Sequence, residues 1–171
     1  MTWRELNVEK FNSIDRKVVI DVRSPCEHLK ESIPEAVNLP LLSDQERIVI
    51  GTVYKQEGAL IARRQAVGII APKIPAIVDE IMALKLPQHS LVVHCWRGGL
   101  RSEAVVSFLS VVGIDCFRLK GGYKAWRKQV VQDFADDDFD FEAIVLDGLT
   151  GVGKTEVLVE LSKSGKTVLD L

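Results

Sequence analysis

Along the chain, short apolar runs alternate with segments whose apolar residues return every three or four positions. Val18-Val19-Ile20 ahead of Asp21, Ser90 to His94, and Cys116-Phe117-Arg118-Leu119 are runs of strand length. Between them, Ile74 to Leu84 carries apolar residues at Ile74, Ile77, Val78 and Ile81, and Ser102 to Val112 carries them at Val105, Val106 and Leu109. Both spacings predict helices. Strands alternating with helices predict an α/β fold, with a parallel or mixed sheet covered on both faces. Sites in such folds form beyond the carboxyl ends of strands. Cys95, directly after Leu91-Val92-Val93-His94, falls at such a place.

The pattern changes after the third run. Asp133, Asp136, Asp137, Asp138 and Asp140 make an acidic, solvated stretch that reads as an interdomain linker. Ala143 to Leu146 then predicts a new strand, Gly153 to Ser164 a helix, and Thr167 to Leu171 the start of another strand. This is too little chain for an independent domain, so the expectation is an N-terminal fragment of one.

Composition narrows the class without deciding it. With 47% hydrophobic and 27% charged residues, the 171-residue chain reads as an ordinary soluble globular protein. Twenty-two basic against 24 acidic residues leave a formal charge of −2, so any RNA contact must come from a local patch. Arg63, Arg64 and Lys73 are candidates for one, although a solvated helix face is the simpler reading. The polar start MTWRELNVEKFNSIDRK lacks a signal-like core, and no apolar run approaches the roughly 18 residues of a membrane span. A cytoplasmic location and no membrane association are expected. Cys26, Cys95 and Cys116 are odd in number and without paired ligand spacing, which predicts neither a disulfide framework nor a metal site. Cys116 reads as a small buried hydrophobe, and Cys26 less firmly so.

Cys95 stands apart because of His94-Cys95-Trp96-Arg97-Gly98-Gly99-Leu100-Arg101-Ser102. Two glycines let the backbone bend and turn N–H groups inward. The helix that follows adds its positive end, and Arg97 and Arg101 add full charges. A thiol in such a cup is stabilised as thiolate, the nucleophilic form. The same cup holds an anionic persulfide, a perselenide or a phosphate-like group. Cys95 is therefore the candidate nucleophile, and Arg97, Gly98, Gly99, Arg101 and Ser102 form the candidate anion-binding loop. Which arginine faces inward is open at this stage. His94 invites a base role, but its place at the strand end favours the opposite side. Asp21 and Glu27 read as carboxylates that pair or cap rather than react.

Gly148-Leu149-Thr150-Gly151-Val152-Gly153-Lys154-Thr155 matches G-x4-G-K-[ST] between a predicted strand and a predicted helix. In such a loop Gly148, Gly151 and Gly153 let backbone N–H groups cradle phosphates, Lys154 reaches the terminal ones, and Thr155 serves a magnesium ion. An isolated strand, loop and helix are marginal in water, so undetectable or very weak binding of ATP and other phosphorylated ligands by this chain is expected.

Asp21-Val22-Arg23-Ser24-Pro25-Cys26-Glu27-His28 with Ile33-Pro34-Glu35-Ala36-Val37-Asn38-Leu39-Pro40 resembles the first half of a rhodanese domain. Gly113-Ile114-Asp115 and Leu119-Lys120-Gly121-Gly122-Tyr123-Lys124-Ala125-Trp126 resemble its end. Glu35 stands where that segment usually has glycine. The segment from Asp44 to Gly58, with Tyr54-Lys55-Gln56, resembles the stretch after Asn-Leu-Pro in tRNA 2-selenouridine synthases, and a phosphate loop after a rhodanese domain is that family's architecture. The resemblance implies a rhodanese-like parallel sheet flanked by helices over residues 12–135. Residues 141–171 would then be the N-terminal fragment of a P-loop domain, an incomplete P-loop strand-loop-helix.

The resemblance also implies an activity: a transferase replacing the sulfur of wobble 2-thiouridine in tRNA with selenium from selenophosphate, by way of S-geranyl-2-thiouridine made from geranyl diphosphate. Cys95 matches the family's chalcogen-carrying cysteine. The implied partners are tRNA and a supplier of selenophosphate. No tightly bound cofactor is implied, and magnesium at the P-loop belongs with the full-length protein. Whether geranyl diphosphate or a nucleotide occupies that loop is open. Two other readings compete. Cys95 and Arg101 enclose five residues, as in rhodanese-fold cysteine phosphatases, whereas common sulfurtransferases of this fold have a loop one residue shorter. A non-catalytic interaction module is the third reading, and the intact cysteine loop speaks against it.

Overall fold

Leu91-Val92-Val93 has no polar alternation because it is buried on both faces of a five-stranded sheet. The computed structural model describes residues 3–84, 86–135 and 144–168, in two units, Met1–Ala135 and Asp136–Leu171.

In the first unit the strands are β1 (Trp3–Leu6), β2 (Lys17–Asp21), β3 (Val37–Asn38), β4 (Ser90–His94) and β5 (Cys116–Leu119). They pair in parallel in the order β1-β5-β4-β2-β3. The helices are α1 (Val8–Asn12), α2 (Pro25–Lys30), α3 (Asp44–Gln56), α4 (Ala59–Ile70), α5 (Ile74–Leu84), α6 (Leu100–Val111) and α7 (Gly122–Ala135), with a 3-10 turn at Ala71–Lys73. The α/β expectation of a parallel sheet flanked by helices is borne out.

The two-residue period of the strands sorts the core into two layers. Ile20, Leu91 and Val93 face Ile77, Ile81, Val106 and Leu109 of α5 and α6. Val19, Val92 and Leu119 face Phe11 of α1 and Tyr123 of α7. Helix starts are written locally. Ser43 forms a capping box with Glu46, three residues on, so two orphan N–H groups are satisfied at the start of α3, and Glu27 accepts from Ser24 N–H at the start of α2.

Several expectations are corrected. The polar N-terminus holds β1 and α1. Only two of the four residues of β1, Trp3 and Leu6, are apolar, and its pairing with β5 holds it in the sheet. Asp133 is not linker but lies in α7, accepting a 2.7 Å hydrogen bond from Gln129. The other aspartates of the acidic stretch lie outside the described residues. Cys26 is exposed in the first turn of α2 rather than buried, whereas Cys116 is buried. Glu35 takes φ +61°, so it occupies a left-handed turn position where glycine would be free of strain.

In the second unit, α8 spans Lys154–Lys163. The strand expected at 143–146 is absent over Ile144–Leu146, where Ile144 is 94% exposed. A lone segment has no neighbour to receive its N–H and C=O groups. Thr167 and Val168 are likewise not strand, and residues 169–171 lie outside the described ones.

Candidate active site

β4 ends at His94 and α6 begins at Leu100, so residues 95–99 form a strand-to-helix loop with Cys95 at its start. Cys95 is 3% exposed. Its Sγ lies 3.3 Å from Ser102 Oγ, and Ser102 Oγ lies 3.1 Å from the Gly99 carbonyl. With a protonated thiol, the chain runs from S–H to the Ser102 oxygen and from the Ser102 hydroxyl to Gly99. On ionisation the Ser102 hydroxyl turns round and donates to sulfur. A buried hydroxyl thus stands within one bond rotation of donating to the sulfur. The first N–H groups of α6, which no intrahelical carbonyl can reach, open at the same loop.

The loop keeps its shape by leaning on the turn after β5. Tyr123 N–H donates to the Cys95 carbonyl at 2.9 Å and Lys124 N–H to the Trp96 carbonyl at 3.0 Å. Gly98 (φ +63°) and Gly122 (φ +58°) are both left-handed. A Cβ on Gly98 would sit 2.5 Å from the Leu119 carbonyl oxygen, and one on Gly122 only 2.2 Å from that of Cys95. Gly98 is thus required twice over, by its φ and by the backbone passing beside it. Gly99, by contrast, has open space around a Cβ and serves as the cap of α6.

Of the two arginines, Arg101 turns toward the site. Its guanidinium grips Glu27 at 2.6 and 3.2 Å. Burial works against its charge, but Glu27 and, more weakly, Cys95 and Asp21 outweigh that and raise its pKa. Arg97 is exposed. Glu27 also accepts from Ser24 N–H at the start of α2. Burial pushes its carboxyl up, yet Arg101 more than compensates and the net shift is downward.

Beneath the loop lies a buried polar group that the sequence did not announce. Arg23 is fully buried, with Nε and Nη2 on Asp21 at 2.9 and 2.7 Å, Nη2 on the Glu31 carbonyl, and its plane 4.2 Å from the Tyr123 ring. His28 Nδ1 lies 2.9 Å from the same Asp21 oxygen. Burial raises the Asp21 carboxyl, but Arg23 and the two histidines outweigh it and hold it below the usual range. The Asp21 and Glu27 expectations rest here on pairing and capping. Only a tertiary view shows Arg23, because its partners come from three separate segments.

His94 is fully buried, its Nδ1 lies 3.8 Å from Asp21 Oδ1, and neither ring nitrogen has a hydrogen-bond partner among the described residues. Burial lowers its pKa from 6.5 to about 4. The unfolded chain therefore binds a proton between about pH 6.5 and 4 that the folded one refuses, so stability falls as pH falls through this window. The full effect is about 3 kcal/mol. Urea unfolding across that window should show the slope, and His94→Phe should flatten it. A slope unchanged in that variant would place the proton uptake elsewhere.

Cys26 is a poor competitor for Cys95. Its backbone N–H is 3.0 Å from Asp44 Oδ1, and the thiol's own hydrogen bond to that carboxylate pushes its pKa up. Lys73 pairs with Glu46, while Arg63 and Arg64 lie exposed on α4.

In the second unit, Gly148, Gly151 and Gly153 all take positive φ. Lys154 Nζ donates to the Gly148 and Leu149 carbonyls at 2.7 and 2.9 Å, and Thr155 is exposed. Among the described residues no group of three or more His, Cys, Asp or Glu is placed to hold a metal. The donor set around Thr155 does not by itself fit a magnesium ion, and no step proposed below passes through one.

The family model for the rhodanese-like domain matches residues 6–129, most of the chain. The chain belongs to the rhodanese-like family. This rhodanese-like chain is 37% identical over 147 residues to a tRNA 2-selenouridine synthase of Sulfurovum sp. (strain NBC37-1), covering 85% of the chain and 40% of that protein. It is 38% identical over 160 residues to one of Pseudomonas putida (strain GB-1), covering 92% and 42%. The chain thus spans about two fifths of the length of these relatives. Among solved structures, the N-terminal domain of a Clostridium difficile 630 protein described as ATP/GTP-binding is 33% identical. It superposes with a TM-score of 0.71 over 75% of this chain and 99% of its own.

Proposed function

We propose that this chain is the chalcogen-transferring part of a tRNA 2-selenouridine synthase. Cys95 carries sulfur or selenium, and the whole protein replaces the sulfur of wobble 2-thiouridine in tRNA with selenium from selenophosphate, through S-geranyl-2-thiouridine. The observation that carries the reading is the buried Cys95 thiol beside Ser102 Oγ at a strand end, in a loop clasped by Gly98 and Gly122. The likeness to proteins named tRNA 2-selenouridine synthase supports the choice of substrate.

The simplest half-reaction uses thiosulfate. The Cys95 thiolate attacks the outer sulfur, a new S–S bond forms, the bond to sulfite breaks, and sulfite leaves with that electron pair. The product is a Cys95 persulfide whose terminal sulfur is anionic and sits where the α6 N–H groups and Ser102 can meet it. In the whole protein, tRNA and a selenophosphate supplier are the partners, and the loop around Lys154 and Thr155 serves a phosphorylated substrate.

A phosphatase remains the rival because five residues separate Cys95 from Arg101. Its arginine would have to leave Glu27 to clasp a phosphate, and that two-point ion pair favours the transferase reading. Incubation with thiosulfate should add one sulfur to Cys95 by intact mass. Aryl-phosphate hydrolysis should stay far below the roughly 1–1000 per second of ordinary enzymes. Turnover within that range, abolished by Cys95→Ser, would move the assignment to a phosphatase.

A further inference from the structure

Between Asp115 and Asp133 the chain carries Arg118, Lys120, Lys124, Arg127 and Lys128 and not one Asp or Glu. In a chain of formal charge −2 that is a pronounced local excess of positive charge. Two of the five are answered. Arg118 pairs with Glu5 and Glu103 at 2.6 and 2.7 Å, and Arg127 with Glu31 at 3.0 Å. Lys120, Lys124 and Lys128 are exposed and pair with no carboxylate among the described residues. Lys124 and Lys128 stand one turn apart on α7, and like charges at i and i+4 destabilise a helix. α7 therefore carries them against its own stability.

This face adjoins the cysteine loop. The Lys124 N–H holds the Trp96 carbonyl, one residue from Cys95, and Arg97 stands exposed next to Trp96. Trp96, Tyr123 and Trp126 form a row of rings with centroids 5.6 and 5.8 Å apart, and both tryptophans are partly open to solvent. On the α1 side, Lys120 and Lys128 border a polar groove of about 290 Å³ that Asn7, Gln129 and Gln132 line with amides. Of the described residues, Glu9 is its one acid. Cations meet phosphates, amides meet sugar hydroxyls and base edges, and ring faces meet unstacked bases, which together are the contacts a single-stranded RNA loop offers. A lipid surface would use the cations and leave the amides unanswered.

We propose that the face running from Arg97 and Trp96 along Lys120, Lys124 and Lys128 seats an RNA loop beside the Cys95 loop. The proposal deepens the transferase reading by assigning a surface to its RNA partner, and it rests on that reading for the choice of RNA. Phosphates on the lysines fix the position of the strand without reading its sequence. The rings beside Cys95 are left to take an unstacked base. Arg63 and Arg64, the basic pair on α4, have no part in this face.

Fluorescence anisotropy with a labelled RNA hairpin carrying 2-thiouridine in its loop should detect binding by the 171-residue chain at about 50 mM salt, weakening steeply by about 200 mM. The double variant Lys120→Glu with Lys128→Glu should lose about tenfold or more in affinity. Its log–log salt dependence should flatten by about 0.7 for each phosphate contact removed. Lys124→Arg keeps the charge and should keep affinity, whereas Lys124→Glu should not. All three side chains are exposed, so the fold should survive, as circular dichroism checks, and Lys→Gln versions read the same contacts if a reversal unfolds the chain. Arg64→Glu on α4 should leave affinity unchanged. Affinity lost in Arg64→Glu and kept in the lysine variants would move the RNA to α4 and overturn the proposal. Absence of binding by the wild-type chain would overturn it too, as would tighter binding to phosphatidylserine vesicles than to the hairpin. Persulfide formation without RNA binding would sink this face and leave the transferase reading standing. RNA binding by a chain that forms no persulfide would do the reverse.

Discussion

Cys95→Ser is expected to abolish persulfide formation, while Cys26→Ser and Cys116→Ser retain it at the wild-type rate. The substitution removes the nucleophile and little else. Serine is slightly smaller, keeps the contact with Ser102, and leaves the loop hydrogen bonds to Tyr123 and Lys124 untouched, since those use backbone atoms. A hydroxyl in the same place is too weakly acidic to attack sulfur without a general base. His94 does not fill that role, being buried with no hydrogen-bond partner at either ring nitrogen among the described residues. The other two thiols lack the cup: Cys26 stands in solvent against Asp44, and Cys116 is buried in β5. Intact mass after donor incubation, followed by peptide mapping, makes the comparison. A full-rate adduct on another cysteine of Cys95→Ser would remove Cys95 from the mechanism.

Gly122→Ala is expected to be the most damaging single-methyl change in the domain. Two costs combine. A left-handed φ of +58° burdens any L side chain by about 1–2 kcal/mol. The new methyl would also lie 2.2 Å from the Cys95 carbonyl oxygen and 2.5 Å from Gly98 N, both backbone atoms that cannot swing aside. Gly113→Ala isolates the first cost, since Gly113 has φ +78° and open space around a Cβ. Urea unfolding should therefore show about 1 kcal/mol lost for Gly113→Ala, and more than about 3 kcal/mol for Gly122→Ala. Adduct formation should fall only in the second. Equal costs would mean that the turn after β5 does not press on the cysteine loop.

The sequence made the central strands and two of the helices legible because burial on both faces, or one apolar stripe, leaves a periodic trace. β4 at Ser90–His94, β5 at Cys116–Leu119 and α5 at Ile74–Leu84 lie where the pattern put them. β1 was hidden by its edge position, which lets Arg4 and Glu5 stand exposed and erases the apolar run. The start of α3 was signalled by Ser43 and Glu46, a local capping pattern read only after the fold is known. The strand expected at Ile144 failed because an apolar run specifies a strand only where a neighbour pairs with it. At the site, Cys95 and its glycines were readable from one short segment. The inward choice of Arg101 over Arg97 was not, because it depends on Glu27, 74 positions away.

The contact between Gly98 and Gly122 also has a consequence for the newly made protein. Cys95 leaves the ribosome well before the Gly121–Lys124 turn that gives its loop a shape. Until β5 has docked against β4 and that turn has closed over the Cys95 carbonyl, the thiol has no cup and behaves as any free cysteine. Domains of this kind tend to fold as units once their distant segments are available. Reactivity at Cys95 is therefore acquired with completion of the domain, and a nascent chain ending before residue 121 carries the cysteine without its chemistry.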